Sequence, residues 1–252
     1  MDSPAQNPLP VILCQDEALL AIDKPAGLLS LPDGYDPQAP HVLGVLTPTY
    51  GRLWIVHRLD KGTSGVMILA RSAEAHRALN TQFETRQTSK IYHALANGSP
   101  EWEEKVVDLP LLPDGDRMHR TIVDGQRGKP SVTRLKVLEH YGAYTLVRAE
   151  PETGRAHQVR VHLASQGYPV VCDPLYGDGK GIYLSQIKPG YRRGKEAGTE
   201  SPLLGRLGLH AWSLTFLHPI SGEKVTFQAP YPRDISNTLR LLTKYMSQSP
   251  ES

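Results

Sequence analysis

Short apolar runs alternate with turn residues along the chain, and the period of each run predicts its element. Residues 11–14 and 18–22 are apolar runs of strand length, separated by turn residues 15–17. Residues 31–41 hold three prolines and a glycine and read as a loop, and 41–50 read as a short helix that Pro48 ends. An unbroken apolar run over 66–70 predicts a buried strand. Ser72 is placed to cap a helix reaching about Arg86, with Glu74 in the first turn. Ala75, Ala78, Leu79 and Phe83 recur at helical spacing as its buried stripe, leaving His76, Arg77 and Arg86 on a solvated face. Strand period returns over 89–96, with Ile91, His93 and Leu95 on one face and Lys90, Tyr92, Ala94 and Ala96 on the other.

The second half begins with a polar segment, 98–129, predicted to be surface loops with one short strand near 106–111. Residues 131–139 and 143–150 read as a hairpin around Tyr141 and Gly142. Residues 151–164 read as a loop entering a helix that stops at Gly167. Val159 and Leu163 should face the core there, while His157 and Arg160, three apart, share a face. Residues 178–206 are Gly-rich and irregular, 207–216 and 225–228 form a further hairpin, and Asp234 starts a last helix to about Met246. Strands joined by hairpins, with a few helices, predict an α+β domain built on a central mixed, largely antiparallel curved sheet with flanking helices. Its expected limits are 11–246, with a disordered arm at 1–10 and a disordered tail at 247–252.

Composition narrows the class. The 252 residues contain 39% hydrophobic residues, enough for a sizeable core, but aromatics are only 7%, so that core is mostly aliphatic. Two cysteines, Cys14 and Cys172, cannot build a disulfide framework and point to a reducing compartment. No apolar run approaches membrane-spanning length and the first residues lack a signal-peptide pattern, so the expected location is the cytoplasm. A net charge of +2 from 28 basic and 26 acidic residues does not by itself announce a nucleic-acid partner. Basic residues do concentrate in the 178–206 loop, where Arg192 and Arg193 stand with four others against three acids. Such a loop is either a solvated surface or a grip for phosphates.

The chemistry centres on His57, Arg58, Leu59, Asp60, Lys61, Gly62, Thr63, Ser64 and Gly65. One carboxylate sits between two cations that favour its charged form, then a small-residue turn runs into the 66–70 strand. That is either an ordinary surface turn or a carboxylate held rigidly at a strand junction to act on a ligand. A metal reading of His57, Asp60, His157 and His162 has plausible spacings but matches no metalloprotease helix, and His162 reads instead as a satisfied, partly buried histidine.

His-Arg-Leu-Asp at 57–60 followed by Thr-Ser-Gly at 63–65 resembles the signature of RNA pseudouridine synthases of the RluA-like branch. Other segments resemble the same family in the same order: Lys24-Pro25-Ala26-Gly27, Lys90-Ile91-Tyr92, Lys129-Pro130-Ser131-Val132-Thr133, Gly154-Arg155-Ala156-His157-Gln158-Val159-Arg160-Val161-His162, residues 169–177, and Leu209-His210-Ala211. Two positions depart from the pattern: Ala156 stands where Thr is usual and Cys172 where Gly is commoner. The resemblance runs from about Val11 to about Leu242 and leaves no room before it for a further RNA-binding module.

The resemblance implies an isomerase that converts uridine within ribosomal or transfer RNA to pseudouridine in a cleft, without cofactor or metal. Asp60 would be the nucleophile, Arg160 its partner, and Tyr92 the ring that lines the active site. Arg58, Lys61, Arg71, Lys90, Arg155, His157, Arg192 and Arg193 are the candidate RNA contacts. The implied partner is structured RNA with a flipped-out uridine, handled by a monomer with no membrane association. The alternatives are a glycosidic-bond hydrolase, for which no second carboxylate accompanies Asp60, and a non-catalytic RNA-binding protein on the same fold.

Overall fold

A computed structural model describes residues 9–192 and 199–246 of the chain. Residues 1–8 of the expected arm 1–10, the tail 247–252 and Arg193 lie outside the described residues. The chain divides into two compact units, Met1–Tyr92 with His210–Pro230, and His93–Leu209 with Tyr231–Ser252.

In chain order the first unit holds β1 (Val11–Gln15), β2 (Leu19–Lys24), α1 (Val42–Tyr50), β3 (Trp54–Ile55), β4 (Ser64–Ala70) and α2 (Ala73–Glu84). The chain passes from this unit into the next within β5 (Ser89–Asn97). The second unit continues with β6 (Glu104–Asp108), β7 (Leu111–Leu112), β8 (Ile122–Val123), β9 (Val132–Tyr141), β10 (Tyr144–Pro151), α3 (Gln158–Ser165) and α4 (Leu184–Ile187). β11 (Leu209–Leu217) and β12 (Lys224–Gln228) complete the first unit, and α5 (Arg233–Met246) completes the second.

The first unit's strands run β1-β2-β4-β11, with β3 on β4 and β12 on β11. These pairings are antiparallel except β4 with β11, which is parallel and sets Ser64 beside His210 and Gly65 beside Ala211. The second unit's strands run β5-β10-β9-β6, and β9 pairs antiparallel with both β6 and β10. The expected α+β class with a mixed, largely antiparallel sheet is therefore what the chain forms. All seven residues of β4 are buried, as an apolar run predicts for a strand covered on both faces. One aliphatic cluster, including Leu20, Ile22, Leu59, Met67 and Ala211, packs against the partly buried Tyr92.

Ser72 caps α2 as predicted, its hydroxyl accepting the Ala75 amide at 3.1 Å. On that helix the buried positions are Ala75, Leu79 and Gln82, whereas Ala78 and Phe83 are only half-buried. Gln82 is buried because its amide group bonds both backbone groups of Leu217, each at 2.8 Å. Pro48 does not end α1, which continues to Tyr50 and stops at Gly51, whose φ of +73° glycine takes without strain. The 106–111 strand is instead β6 followed by the small β7–β8 hairpin. Asp234 lies inside the first turn of α5 and pairs with Arg206 at 2.7 Å, so Arg206 is part of the scaffold. The described part of 178–206 is also anchored, through α4 and the buried Ile182, Ile187 and Leu204.

Candidate active site

Asp60 sits on a tight turn in which the Thr63 amide donates to the Asp60 carbonyl at 3.0 Å. Three restraints hold that turn. The buried Ser30 hydroxyl donates to the Leu59 carbonyl at 2.7 Å and accepts the Leu59 amide at 3.0 Å. The Gly27 amide donates to the Lys61 carbonyl at 2.7 Å, joining the Lys24-Pro25-Ala26-Gly27 turn to the Asp60 turn. Gly65, at φ +117°, lies so close to β11 that a Cβ would stand 2.2 Å from the Ala211 carbonyl oxygen. Only glycine suits that combination of backbone angle and approach.

The neighbouring side chains are scaffold. Lys24 is fully buried, with its ammonium donating to the carbonyls of Pro25 and Leu28 at 2.9 and 2.8 Å. These bonds tie the Lys24 side chain into the turn of its own block. His210 is fully buried and bonds the Ala229 carbonyl at 3.1 Å through Nε2. A carbonyl only accepts, so Nε2 carries the proton and Nδ1 accepts from the Ser64 hydroxyl at 2.9 Å. Thr63 is buried, and among the described residues its hydroxyl has no hydrogen-bond partner.

Within the same unit, burial and then the Asp60 carboxylate push the Tyr92 phenol well above its ordinary range, so the hydroxyl stays protonated. His57 accepts the Ile68 amide at Nε2, 3.0 Å away, and stacks on Phe83 at 4.9 Å between centroids. Burial, and secondarily Lys90, lower His57 to about 3, so its imidazole is neutral. Burial and the nearby Arg86 lower Lys90 to about 8.

In the second unit, Arg160 lies on α3 and is buried. Its Nε and Nη2 donate to the two carboxylate oxygens of Asp173 at 2.7 and 2.8 Å. Burial alone would raise the Asp173 carboxyl, but the Arg160 hydrogen bonds and charge, with the Leu175 and Tyr176 amides, bring it below its usual range. The Arg160 Cζ also stands 5.1 Å from the centre of the Tyr176 ring. His157 precedes the helix at φ +55° and its Nδ1 meets the Tyr176 hydroxyl at 2.9 Å. Gln158 knits the loop, accepting from the Thr153 hydroxyl at 2.6 Å and the Arg155 amide at 3.1 Å and donating to the Val132 carbonyl at 2.9 Å. His162 is fully buried and bonded to Thr133 and the Leu109 carbonyl, the satisfied histidine the sequence predicts. Among the described residues no group of three or more His, Cys, Asp or Glu side chains is placed to hold a metal ion.

The structure thus brings Asp60 and Tyr92 together in one unit and Arg160 and His157 together in the other. Arg58 and Lys61 are exposed beside Asp60, Arg192 is exposed, and Lys90 and Arg155 are half-buried. Arg71 is committed locally: its guanidinium donates to the Asp16 carbonyl and its amide to the Ala18 carbonyl, which braces the β1–β2 turn. Sequence reasoning missed Ser30, Gln158 and the Arg160–Asp173 fork. Asp173 and Tyr176 lay inside a quoted block, while Ser30 carried no sequence signal.

Residues 18–165 match the family model described as RNA pseudouridylate synthase. The "Dual-specificity RNA pseudouridine synthase RluA" of Escherichia coli K12 is 37% identical over 90% of this chain and 96% of its own length. The "Ribosomal large subunit pseudouridine synthase D" of Neisseria meningitidis serogroup B is 35% identical over 92% of this chain, which spans only 60% of that relative's length. Among solved structures, "Human RNA Pseudouridylate Synthase Domain Containing 4" superposes with a TM-score of 0.71 at 27% identity, covering 92% of each chain.

Proposed function

The chain belongs to the RNA pseudouridylate synthase family, and from that premise we propose that it isomerises uridine to pseudouridine within RNA, with Asp60 as the nucleophile. In this reaction the C1′–N1 glycosidic bond breaks, the uracil turns, C1′ bonds to C5, and the hydrogen on C5 leaves to solvent as a proton while the freed N1 takes one up. No electron changes hands and no group donor enters, so the reaction needs no cofactor. The observation that carries the reading is the Asp60 turn: a family-signature carboxylate held by three backbone restraints beside a partly buried, protonated tyrosine.

In this reading Arg160 keeps Asp60 ionised and oriented, and its fork with Asp173 supports that role by fixing the guanidinium. Tyr92 stacks on the uracil, which leaves its helical stack at a cost of a few kcal/mol. Arg58, Lys61, Lys90, Arg155, His157 and Arg192 contact the RNA backbone, and the enzyme works as a cytoplasmic monomer. The substrate is ribosomal or transfer RNA, and the name of one relative gives the ribosomal large subunit. No helix among the described residues is long and apolar enough to cross a membrane.

The test is tritium release from uridine labelled at C5 in ribosomal and transfer RNA, with Asp60→Ala as control. Release by the wild type alone supports the reading, and the responding RNA names the substrate class. Release of free uracil would indicate a hydrolase. Tight RNA binding with no release from either RNA would indicate a binding protein. Affinity should also fall by about 0.7 log units per log unit of salt for each phosphate contacted on a single strand.

A further inference from the structure

Tyr176 lies outside every role assigned above, yet it touches both Arg160 and the carboxylate that holds it. A bidentate carboxylate fixes one edge of a guanidinium and its plane, but covers neither face. In this chain the Arg160 Cζ stands over the Tyr176 ring, 5.1 Å from its centre and within the range of a cation–π contact. The acid and the ring come from one short turn: the Tyr176 amide donates to Asp173 Oδ1 at 3.2 Å and the Leu175 amide to the same oxygen at 2.9 Å.

The ring is itself pinned. Its hydroxyl accepts the Thr121 amide at 3.0 Å and meets His157 Nδ1, from the residue before α3, at 2.9 Å. Arg120 adds a second tie between the same segments, donating to the Leu175 carbonyl at 2.9 Å. The Tyr176 amide bond to Asp173 sets the half-buried ring at the guanidinium, and the hydroxyl bonds add to that placement.

We propose that Tyr176 is a positioning residue, its ring face fixing the orientation of the Arg160 guanidinium for the isomerisation step. The proposal rests on the reading that Arg160 acts in that step. It predicts that the π face, not the hydroxyl, sets the rate. The raised Tyr176 phenol keeps its proton, consistent with a neutral ring beneath the cation.

The experiment is single-turnover tritium release and RNA affinity for the wild type, Tyr176→Leu and Tyr176→Phe, each corrected to its folded fraction by thermal melting. Tyr176→Leu should slow the step by about thirtyfold at unchanged RNA affinity, and Tyr176→Phe should restore most of that loss. On an Arg160→Lys background, Tyr176→Leu should add little, because the two side chains act as one unit. If Tyr176→Leu does not fold, Tyr176→Met, which also lacks a π face, takes its place with the same expectation.

A leucine variant as fast as wild type, a phenylalanine variant as slow as leucine, or additive losses with Arg160→Lys would each overturn the proposal. No release by the wild type would instead remove the reading beneath it.

Discussion

Replacing Asp173 by Asn removes one charge from the fully buried Arg160–Asp173 pair and almost nothing else. Oδ1 of the native carboxylate accepts from Arg160 Nη2 at 2.8 Å, Leu175 N at 2.9 Å and Tyr176 N at 3.2 Å, and the amide oxygen of Asn can keep all three. Oδ2 accepts from Arg160 Nε at 2.7 Å, and an NH2 group there faces a donor with a donor. The guanidinium stays charged and buried and loses one of its two bonds to residue 173. Breaking one side of such a pair costs about 3–5 kcal/mol, and the three surviving bonds place this variant near 3. That is a large fraction of the roughly 5–15 kcal/mol stability of a typical domain. Urea unfolding at pH 7 measures it directly.

The pH dependence gives a second, independent check. The Asp173 carboxyl is depressed in the folded chain, so its stabilisation is complete above the unfolded carboxyl's value of about 3.9 and is lost as pH falls through the lower folded value. Asn does not titrate, so the gap between the two proteins should narrow only below about pH 4. A gap under about 1 kcal/mol at pH 7, the range of an exposed pair, would refute the reasoning. So would a gap that persists unchanged into acid.

Gly65→Ala should destabilise the protein by at least about 3 kcal/mol or prevent soluble expression, since its Cβ would stand 2.2 Å from the Ala211 carbonyl at a φ of +117°. Ser30→Ala leaves both backbone groups of the buried Leu59 unpaired, and denaturation should show a loss of about 3 kcal/mol, with tritium release falling further than the folded fraction. His57, held at about 3 by burial and Lys90, stays neutral while an unfolded chain takes up a proton near 6.5. Its contribution is therefore complete above pH 6.5 and is lost as pH falls toward 3, a slope that His57→Gln should remove from the unfolding free energy.

What was legible in the sequence was what local rules determine. The β9–β10 hairpin, the Ser72 cap and the buried run of β4 follow from neighbours a few residues apart. What was not legible depends on contacts between distant positions. Ser30 looks like any loop serine until it meets Leu59, 29 residues on. Gln82 looks like a solvated helix position until it meets Leu217. Pro48 was read by its local cost, which the helix tolerates two residues before its end. Of the two departures from the family pattern, Cys172 now has a reason for standing out: its φ is +60°, a left-handed conformation that glycine takes without strain and cysteine does not. Ala156 is exposed, and the loop's hydrogen bonds run through Thr153, Arg155 and Gln158 around it.

The restraints on the Asp60 turn share a feature that bears on rate. The bonds from Ser30 and Gly27 and the close approach at Gly65 all act on backbone, and none of them engages the Asp60 carboxylate. They fix the backbone from which the Asp60 side chain projects. Orientation of a reacting group contributes most when it is complete before substrate arrives, because the entropy of ordering is then already supplied by folding. In the proposed function such a turn ties activity to distant scaffold residues: loosening Ser30 would displace Asp60 while leaving its chemistry intact. The loss should therefore fall on the rate of the isomerisation step, with RNA affinity preserved.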